Sequence, residues 1–168
     1  ESPAGAIDMG PFGLLTVVDS DFRDNFTSDH GGAIHSRSDV SFTTSSFSGN
    51  SAGGNGGAVF VFENVDPNYL GVPIENLSFT IDTCSFSGNT AFAGGVHAGT
   101  ALGGGGLYAD HIEGSITDTY FLGNTARNGG GLCLVDGVDV EITGGGINSN
   151  TAKANYGLGG GFACLNTD

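Results

Sequence analysis

The stretch from residue 47 to residue 61 reads Phe47-Ser48-Gly49-Asn50-Ser51-Ala52-Gly53-Gly54-Asn55-Gly56-Gly57-Ala58-Val59-Phe60-Val61. It joins a Phe-x-x-Asn motif to a pair of glycines, and the glycines lead into an apolar run with the composition of a β-strand. The rest of the chain repeats this pattern imperfectly. Internal repetition of this kind is typical of solenoid folds, in which each repeat is one stacked unit.

The chain carries five copies of the motif. The repeated asparagines are Asn25, Asn50, Asn89, Asn124 and Asn150, and the residues three positions earlier are Phe22, Phe47, Phe86, Phe121 and Ile147. The steps of 25 residues (25 to 50) and 26 residues (124 to 150) set the unit length. The two longer steps indicate loop insertions at about 63–75 and 97–109, because loops grow without disturbing a stacked core. In the third copy the glycine pair is either Gly94-Gly95 or, past the insertion, Gly105-Gly106.

Each unit contains two strand-like runs, one after the glycines and one before the phenylalanine, and several alternate apolar with polar residues. A unit this short cannot bury its apolar face alone, so it must stack on copies of itself. The pattern predicts an all-β fold, a right-handed single-stranded parallel β-helix of five to six coils. We expect one domain over residues 1–168, with its five repeat units stacked to a height of about 24 Å.

The repeated residue types indicate structural roles in such a stack. The phenylalanines and Ile147 are expected to point inward as a core stack. A side-chain amide both donates and accepts hydrogen bonds, so the five asparagines are predicted to form a ladder from coil to coil. The glycine pair fits a corner that requires positive φ or a close approach to the next coil.

The alternation of Phe-x-x-Asn with Gly-Gly-Ala-Ile (residues 31–34) or Gly-Gly-Ala-Val (residues 56–59) resembles the repeat of the polymorphic outer membrane proteins of chlamydiae. Similar β-helical passenger and surface proteins occur in other organisms. The resemblance extends from about Phe22 to Cys164, although later copies replace the alanine with glycine or valine. It implies a β-helix at the cell surface, with any membrane anchor located elsewhere.

The net charge of −14 argues against nucleic acid as a partner. Eighteen acidic residues oppose four cations, Arg23, Arg37, Arg127 and Lys153, and these form no basic patch in the sequence that would neutralise phosphates. No apolar run reaches the length of a membrane-spanning helix, so direct membrane insertion is not expected. An acidic surface of this kind favours solubility.

One region mixes acids, histidines and cations and is the candidate for an enzymatic or ligand-binding site. It contains Asp19, Asp21, Arg23, Asp24, Asp29, His30, His35 and Arg37. Asp19, Asp21 and Asp24 are weak candidates for Ca²⁺ ligands, because Ca²⁺ prefers carboxylate oxygens. The same three residues flank the repeated motif, where turn residues are expected, so we predict no catalytic residues and no cofactor. His97 and His111 are interpreted as surface loop residues.

Cysteines and sequons add a few further candidates. Cys133 and Cys164 lie in corresponding strands and are a candidate disulfide, although a one-residue offset argues against it; Cys84 is left unassigned. Asn25 and Asn76 lie in Asn-x-Ser/Thr sequons, and Asn76 is the better glycosylation candidate because Asn25 belongs to the ladder.

These patterns predict an extracellular or cell-surface, secreted structural or adhesive protein that is not an enzyme. The half units at Gly5-Ala6-Ile7 and at 160–164 have two explanations, an excerpt of a longer β-helix or head-to-tail stacking of subunits into a filament. We expect end-to-end self-association, with glycans or other surface ligands as further partners. A carbohydrate-binding or carbohydrate-cleaving β-helix, acting through the Asp19 to Arg37 region or the insertions, is the alternative. Ice binding through the repeated Asn-Thr-Ala threonines is a lesser one, because that column is short and is expected at a turn.

Overall fold

A computed structural model describes residues 5–63, 77–92, 103–136, 139–153 and 158–165. All regular secondary structure in these ranges is β-strand. None of the described residues forms a helix with the length and apolar character of a membrane span.

The strands are short and closely spaced, with two to five residues each. In chain order they are β1 (Ile7–Met9), β2 (Leu14–Val18), β3 (Asp21–Arg23), β4 (Phe26–Thr27), β5 (Ile34–Ser36), β6 (Asp39–Thr43), β7 (Ser46–Ser48), β8 (Ser51–Ala52), β9 (Val59–Phe62), β10 (Ser78–Asp82), β11 (Ser85–Ser87), β12 (Thr90–Ala91), β13 (Leu107–Asp110), β14 (Glu113–Thr117), β15 (Tyr120–Leu122), β16 (Thr125–Ala126), β17 (Leu132–Val135), β18 (Val140–Thr143), β19 (Gly146–Asn148), β20 (Thr151–Ala152) and β21 (Phe162–Leu165).

The strands assemble into four parallel sheets, and the chain visits the sheets in turn. Sheet 1 has the order β1-β5-β9-β13-β17-β21, sheet 2 β2-β6-β10-β14-β18, sheet 3 β3-β7-β11-β15-β19 and sheet 4 β4-β8-β12-β16-β20. Each coil therefore contributes one strand to every sheet. The predicted parallel β-helix is confirmed, and six strands in sheet 1 with five in the others agree with five to six coils.

The strand register aligns the copies of the motif and settles the third one. Leu107 pairs with Val59 on one side and Leu132 on the other, so the glycines before Leu107 belong to the stack. Gly94 and Gly95 lie outside the described residues. The second insertion was predicted at 97–109, and its end is wrong, because Leu107–Asp110 is strand β13. The first insertion, beyond Glu63, lies outside the described residues.

The two glycines of each repeat meet different requirements. Gly56 has a φ of +65°, which turns the chain into sheet 1 through a conformation that side chains disfavour. Gly57 has no such φ, but a Cβ atom there would collide with the Gly105 carbonyl oxygen and the Thr90 backbone in the next coil. The first glycine makes the bend, and the second permits the close approach of the coils.

The other three corners of the coil also use left-handed backbone. Between sheets 1 and 2 the left-handed residues are Phe12, His111 and Asp136. Between sheets 2 and 3 they are Asp19, Thr44, Thr83, Asp118, Gly144 and Gly145. Between sheets 3 and 4 they are Asp24, Gly49, Gly88, Gly123 and Ser149. Asp tolerates this conformation better than most side chains, so Asp19 and Asp24 have a structural reason for their positions.

Candidate functional site

The repeated phenylalanines form a stack inside the coils, on the inner face of sheet 3. The ring centroids of Phe22, Phe47, Phe86 and Phe121 are 5.0, 4.7 and 4.8 Å apart in successive pairs, with ring planes within 8° of parallel. Ile147 pairs with Phe121 in the fifth coil and packs against the core while partly buried. The ring separation matches the rise between strands, so each coil supports the next.

The five repeated asparagines lie one above another at the corner between sheets 3 and 4. Asn50, Asn89 and Asn124 are fully buried. In each step along the stack, the backbone N–H and the Nδ2 group of one asparagine both donate to the Oδ1 atom of the next. The distances are 2.9 to 3.1 Å through all four steps from Asn25 to Asn150.

Each of the last four asparagines also reaches back to the preceding coil. Nδ2 of Asn89 donates to the carbonyl oxygen of Phe47 at 2.9 Å, and Asn124 makes the same bond to Phe86 at 2.8 Å. One side chain therefore connects three consecutive coils. Since both amide hydrogens and the amide oxygen are used within the stack, these residues are suited to holding coils together rather than to binding a ligand.

A second ladder, formed by Ser20, Ser45, Cys84 and Thr119, runs along the corner between sheets 2 and 3. The backbone N–H of Ser20 donates to Oγ of Ser45, that of Ser45 to Sγ of Cys84, and that of Cys84 to Oγ1 of Thr119. Each side chain also donates to the carbonyl oxygen two residues earlier. Sequence reasoning missed this ladder because its members share only a hydrogen-bonding atom on Cβ.

The residues from Asp19 to Arg37 do not form one site, because the coil divides them between two sheets. On sheet 3, Asp21 pairs with Arg23 and accepts from the Ser46 hydroxyl, and all of this lies on the exposed surface. The hydrogen bond from Arg23 and then that from Ser46 lower the pKa of Asp21. Asp19, Asp21 and Asp24 do not converge as a group of metal ligands among the described residues. The weak Ca²⁺ prediction therefore finds no support in this geometry.

The histidines of that region lie instead on the outer face of sheet 1. The rings of His30 and His35 stack on Phe60 at centroid distances of 4.6 and 5.3 Å. Nδ1 of His35 lies 2.9 Å from Oδ1 of Asp8. Burial lowers the pKa of His35, and the hydrogen bond to Asp8 opposes that effect without overcoming it. His35 is therefore a neutral packing residue at neutral pH.

These histidines border a second apolar cluster that the sequence analysis did not predict. Phe60, Tyr108, Cys133, Val135 and Ala163 cover the outer face of sheet 1 and are at most 6% exposed. The apolar runs 58–62 and 132–135 do not alternate with polar residues, which is the pattern of strands buried on both faces. The apolar runs therefore indicate that the outer face of sheet 1 is buried, but they do not identify the residues that cover it.

The candidate disulfide between Cys133 and Cys164 is not formed. Cys133 pairs with Ala163 and Cys164 with Leu134, so the two sulfur atoms belong to opposite faces of sheet 1. Burial raises the pKa of Cys133 to about 12 and, more weakly, raises that of Cys84. These two buried thiols are therefore poor nucleophiles at neutral pH.

Within the described residues, a single group of three side chains has the spacing needed to hold a metal ion. It consists of Asp110, His111 and Asp136, whose ligand atoms lie within 4.8 Å of one another at the corner after sheet 1. Nδ1 of His111 is 2.6 Å from Oδ1 of Asp110, so a hydrogen bond between neighbouring residues already accounts for two of the three. His97 lies outside the described residues.

The structure describes one of the two glycosylation candidates, Asn25. Nδ2 of Asn25, the atom that a glycan would modify, donates to Oδ1 of Asn50 at 2.9 Å. A glycan at Asn25 would therefore compete with the first step of the asparagine ladder. Asn76 lies outside the described residues.

The threonines of the repeated Asn-Thr-Ala were expected at a turn. They lie instead in the strands of sheet 4. Two of them, Thr90 and Thr125, border a groove of about 380 Å³ on the lateral wall of the β-helix. The lining residues are Thr90, Ala91, Phe92, Thr125, Ala126, Arg127 and Lys153. The repeated Asn-Thr-Ala motif indicated the threonine column, whereas the neighbouring column of Phe92, Arg127 and Lys153 is visible only after the coils are aligned.

Comparison with known proteins identifies the repeat. The family model described as the Chlamydia polymorphic membrane protein repeat matches residues 44–61, 83–110 and 118–134. No curated protein and no solved structure matches the chain. Each matched segment begins near sheet 3 and reaches sheet 1, and each contains one of the fully buried asparagines. Three segments in the central coils of this chain therefore match the Chlamydia polymorphic membrane protein repeat.

Proposed function

We propose that this chain is part of an extracellular β-helix at a cell surface, where it acts as a rigid structural and adhesive element and not as an enzyme. The observation that carries the proposal is the asparagine ladder. The repeated residues, Phe and Asn, make their contacts inside the stack, so the repeat makes the β-helix stiff. The side chains on the outer walls are free to vary from coil to coil. The match to a repeat named for membrane proteins of Chlamydia supports a cell-surface location.

Antibodies raised against the folded chain test the location. Intact and permeabilised cells of the source should stain equally if the protein is displayed outside. Staining that requires permeabilisation would contradict the surface assignment. Beads coated with the chain test the adhesive role, because they should bind cultured cells more than beads coated with heat-unfolded chain do. Equal binding by both coats would contradict adhesion without affecting the assignment of location.

We also propose that copies of the chain associate end to end. The edge strands of sheet 2 leave core-facing apolar side chains uncovered: Ile142, aligned with buried Ile116, is 41% exposed at one edge, and Leu15, aligned with buried Val40, is only partly buried at the other. An open parallel edge offers unpaired backbone groups to another coil. Electron microscopy should show filaments whose axial repeat matches the height of the described stack. Particles that stay monomeric at high concentration would contradict this association.

A further inference from the structure

The groove on sheet 4 is built from two columns of side chains, and the columns run along the stack. Thr90 pairs with Thr125, and Thr125 with Thr151, so three hydroxyl groups follow one another on successive coils. The residues two positions later are Phe92, Arg127 and Lys153, which also occupy equivalent places. Coils repeat at about 4.8 Å, so each column presents one group at every step.

The second column is positively charged, which is unusual in a protein of net charge −14. Phe92 is 64% exposed, and Arg127 and Lys153 are exposed beside it. Arg23 is paired with Asp21, whereas neither Arg127 nor Lys153 makes an ion pair among the described residues. Two of the four cations of a chain with net charge −14 therefore lie in one groove, and no acid of the described ranges pairs with either. An external anion would supply the missing partner.

We infer that this groove binds a carboxylated sugar of an acidic polysaccharide. Arg127 and Lys153 would hold the carboxylate through charge-assisted hydrogen bonds. The ring of Phe92 would pack against the apolar face of the sugar, and the hydroxyls of Thr90 and Thr125 would exchange hydrogen bonds with the sugar hydroxyls. A groove of about 380 Å³ is within the size range of small-ligand sites.

The arrangement favours a sugar acid over a denser polyanion. The surrounding surface is strongly acidic, so a chain of closely spaced phosphates would meet repulsion outside the two cations. A uronic or sialic acid carries one carboxylate on its ring and is otherwise uncharged. The inference rests on the proposed adhesive role and names the ligand class for it, but its test is separate from cell binding.

Binding is measured by calorimetry with two probes, oligogalacturonate and oligosialic acid, each compared with its methyl ester. We expect binding of at least one acid and no binding of its ester. Arg127→Gln and Lys153→Gln should each weaken the affinity by about tenfold, which corresponds to the loss of one charge-assisted hydrogen bond. Phe92→Ala should weaken binding of each acid that the wild type binds. Arg23→Gln is the matched control, because it makes the same change in net charge at an exposed position on sheet 3.

Binding of only one acid identifies the source of the sugar and supports the inference. Equal binding of the esters, an equal effect of Arg23→Gln, or no binding of either acid would overturn it. If Arg127→Gln instead abolishes self-association measured by light scattering, the groove is an interface between copies and the inference is wrong. Urea unfolding of each variant confirms that the fold is retained. Cell adhesion that survives in the Arg127→Gln variant would separate failure of this inference from failure of the adhesive role.

Discussion

The backbone N–H and the Nδ2 group of Asn89 both lie 2.9 Å from the Oδ1 atom of Asn124 in the next coil. Nδ2 of Asn89 also donates to the Phe47 carbonyl oxygen in the preceding coil. The asparagine ladder is thus joined to the backbone beside the phenylalanine stack at every step. Phe and Asn recur together in the motif because one fills the interior and the other closes the corner that follows it.

Truncation of this amide should be costly. Asn89→Ala removes the acceptor of the backbone N–H and Nδ2 of Asn50, and it removes a donor from both Asn124 and Phe47. Each unsatisfied buried group costs about 1–3 kcal/mol, so we expect the free energy of unfolding to fall by at least about 3 kcal/mol. Urea unfolding followed by circular dichroism measures this change.

The exposed Asn148 provides the control, because Asn148→Ala makes the same chemical change outside the ladder. That variant should stay within about 0.5 kcal/mol of the wild type. Similar losses for both variants would show that the ladder hydrogen bonds do not govern stability.

A second prediction concerns the close approach between coils. Gly57→Ala places a methyl group against the Gly105 carbonyl oxygen and the Thr90 backbone, and neither can move without separating two coils. We expect a loss of about 3 kcal/mol or more in the free energy of unfolding. Gly10 has no atom within 4 Å of the corresponding Cβ position, so Gly10→Ala should be neutral or slightly stabilising. A Gly57→Ala protein as stable as the Gly10→Ala protein would contradict the explanation.

These features also show how far the sequence could predict the structure. The parallel β-helix, the strands of sheets 1 and 2 and the alignment of the asparagines follow from a repeat that keeps residue type and spacing. Sheets 3 and 4 could not be predicted as strands, because runs of two or three residues show no period. The second ladder was hidden because Ser45, Cys84 and Thr119 differ in type, and the groove because Phe92, Arg127 and Lys153 share only a position in the coil.

Acidification should destabilise the fold through His35. Burial holds the pKa of folded His35 below its ordinary value of 6.5, against the opposing effects of Asp8 and Asp29 and in the same direction as Arg37. As the pH falls below 6.5, the unfolded chain therefore binds the proton first. The contribution of His35 to stability is present above that pH and is lost as the pH falls toward the pKa of the folded state.

Urea unfolding across this pH interval measures the slope of stability against pH. His35→Phe keeps a ring next to Phe60 and removes the titrating group, so its slope should be smaller than that of the wild type. A His35→Phe protein with an unchanged slope would assign the acid sensitivity to other groups.

Replacement by serine should be tolerated at one buried cysteine, Cys84, and should destabilise the fold at another, Cys133. Cys84 accepts from the N–H of Ser45 at 3.4 Å and donates to the carbonyl oxygen of Asp82, in a position where other coils place a hydroxyl group. Cys84→Ser retains both bonds and should leave the free energy of unfolding within about 1 kcal/mol, whereas Cys84→Ala should lower it by about 1–3 kcal/mol.

Cys133 instead lies among Phe60, Tyr108 and Val135 on the outer face of sheet 1 and is fully buried. Cys133→Ser brings a hydroxyl group into this apolar cluster and should cost about 1–3 kcal/mol, while Cys133→Ala adds no polar group and should cost less than Cys133→Ser. The order of serine and alanine is thus reversed between the two sites, and thermal unfolding of the four variants measures it. If serine and alanine rank alike at both positions, then Cys84 behaves as a small apolar residue and the second ladder does not depend on its sulfur atom.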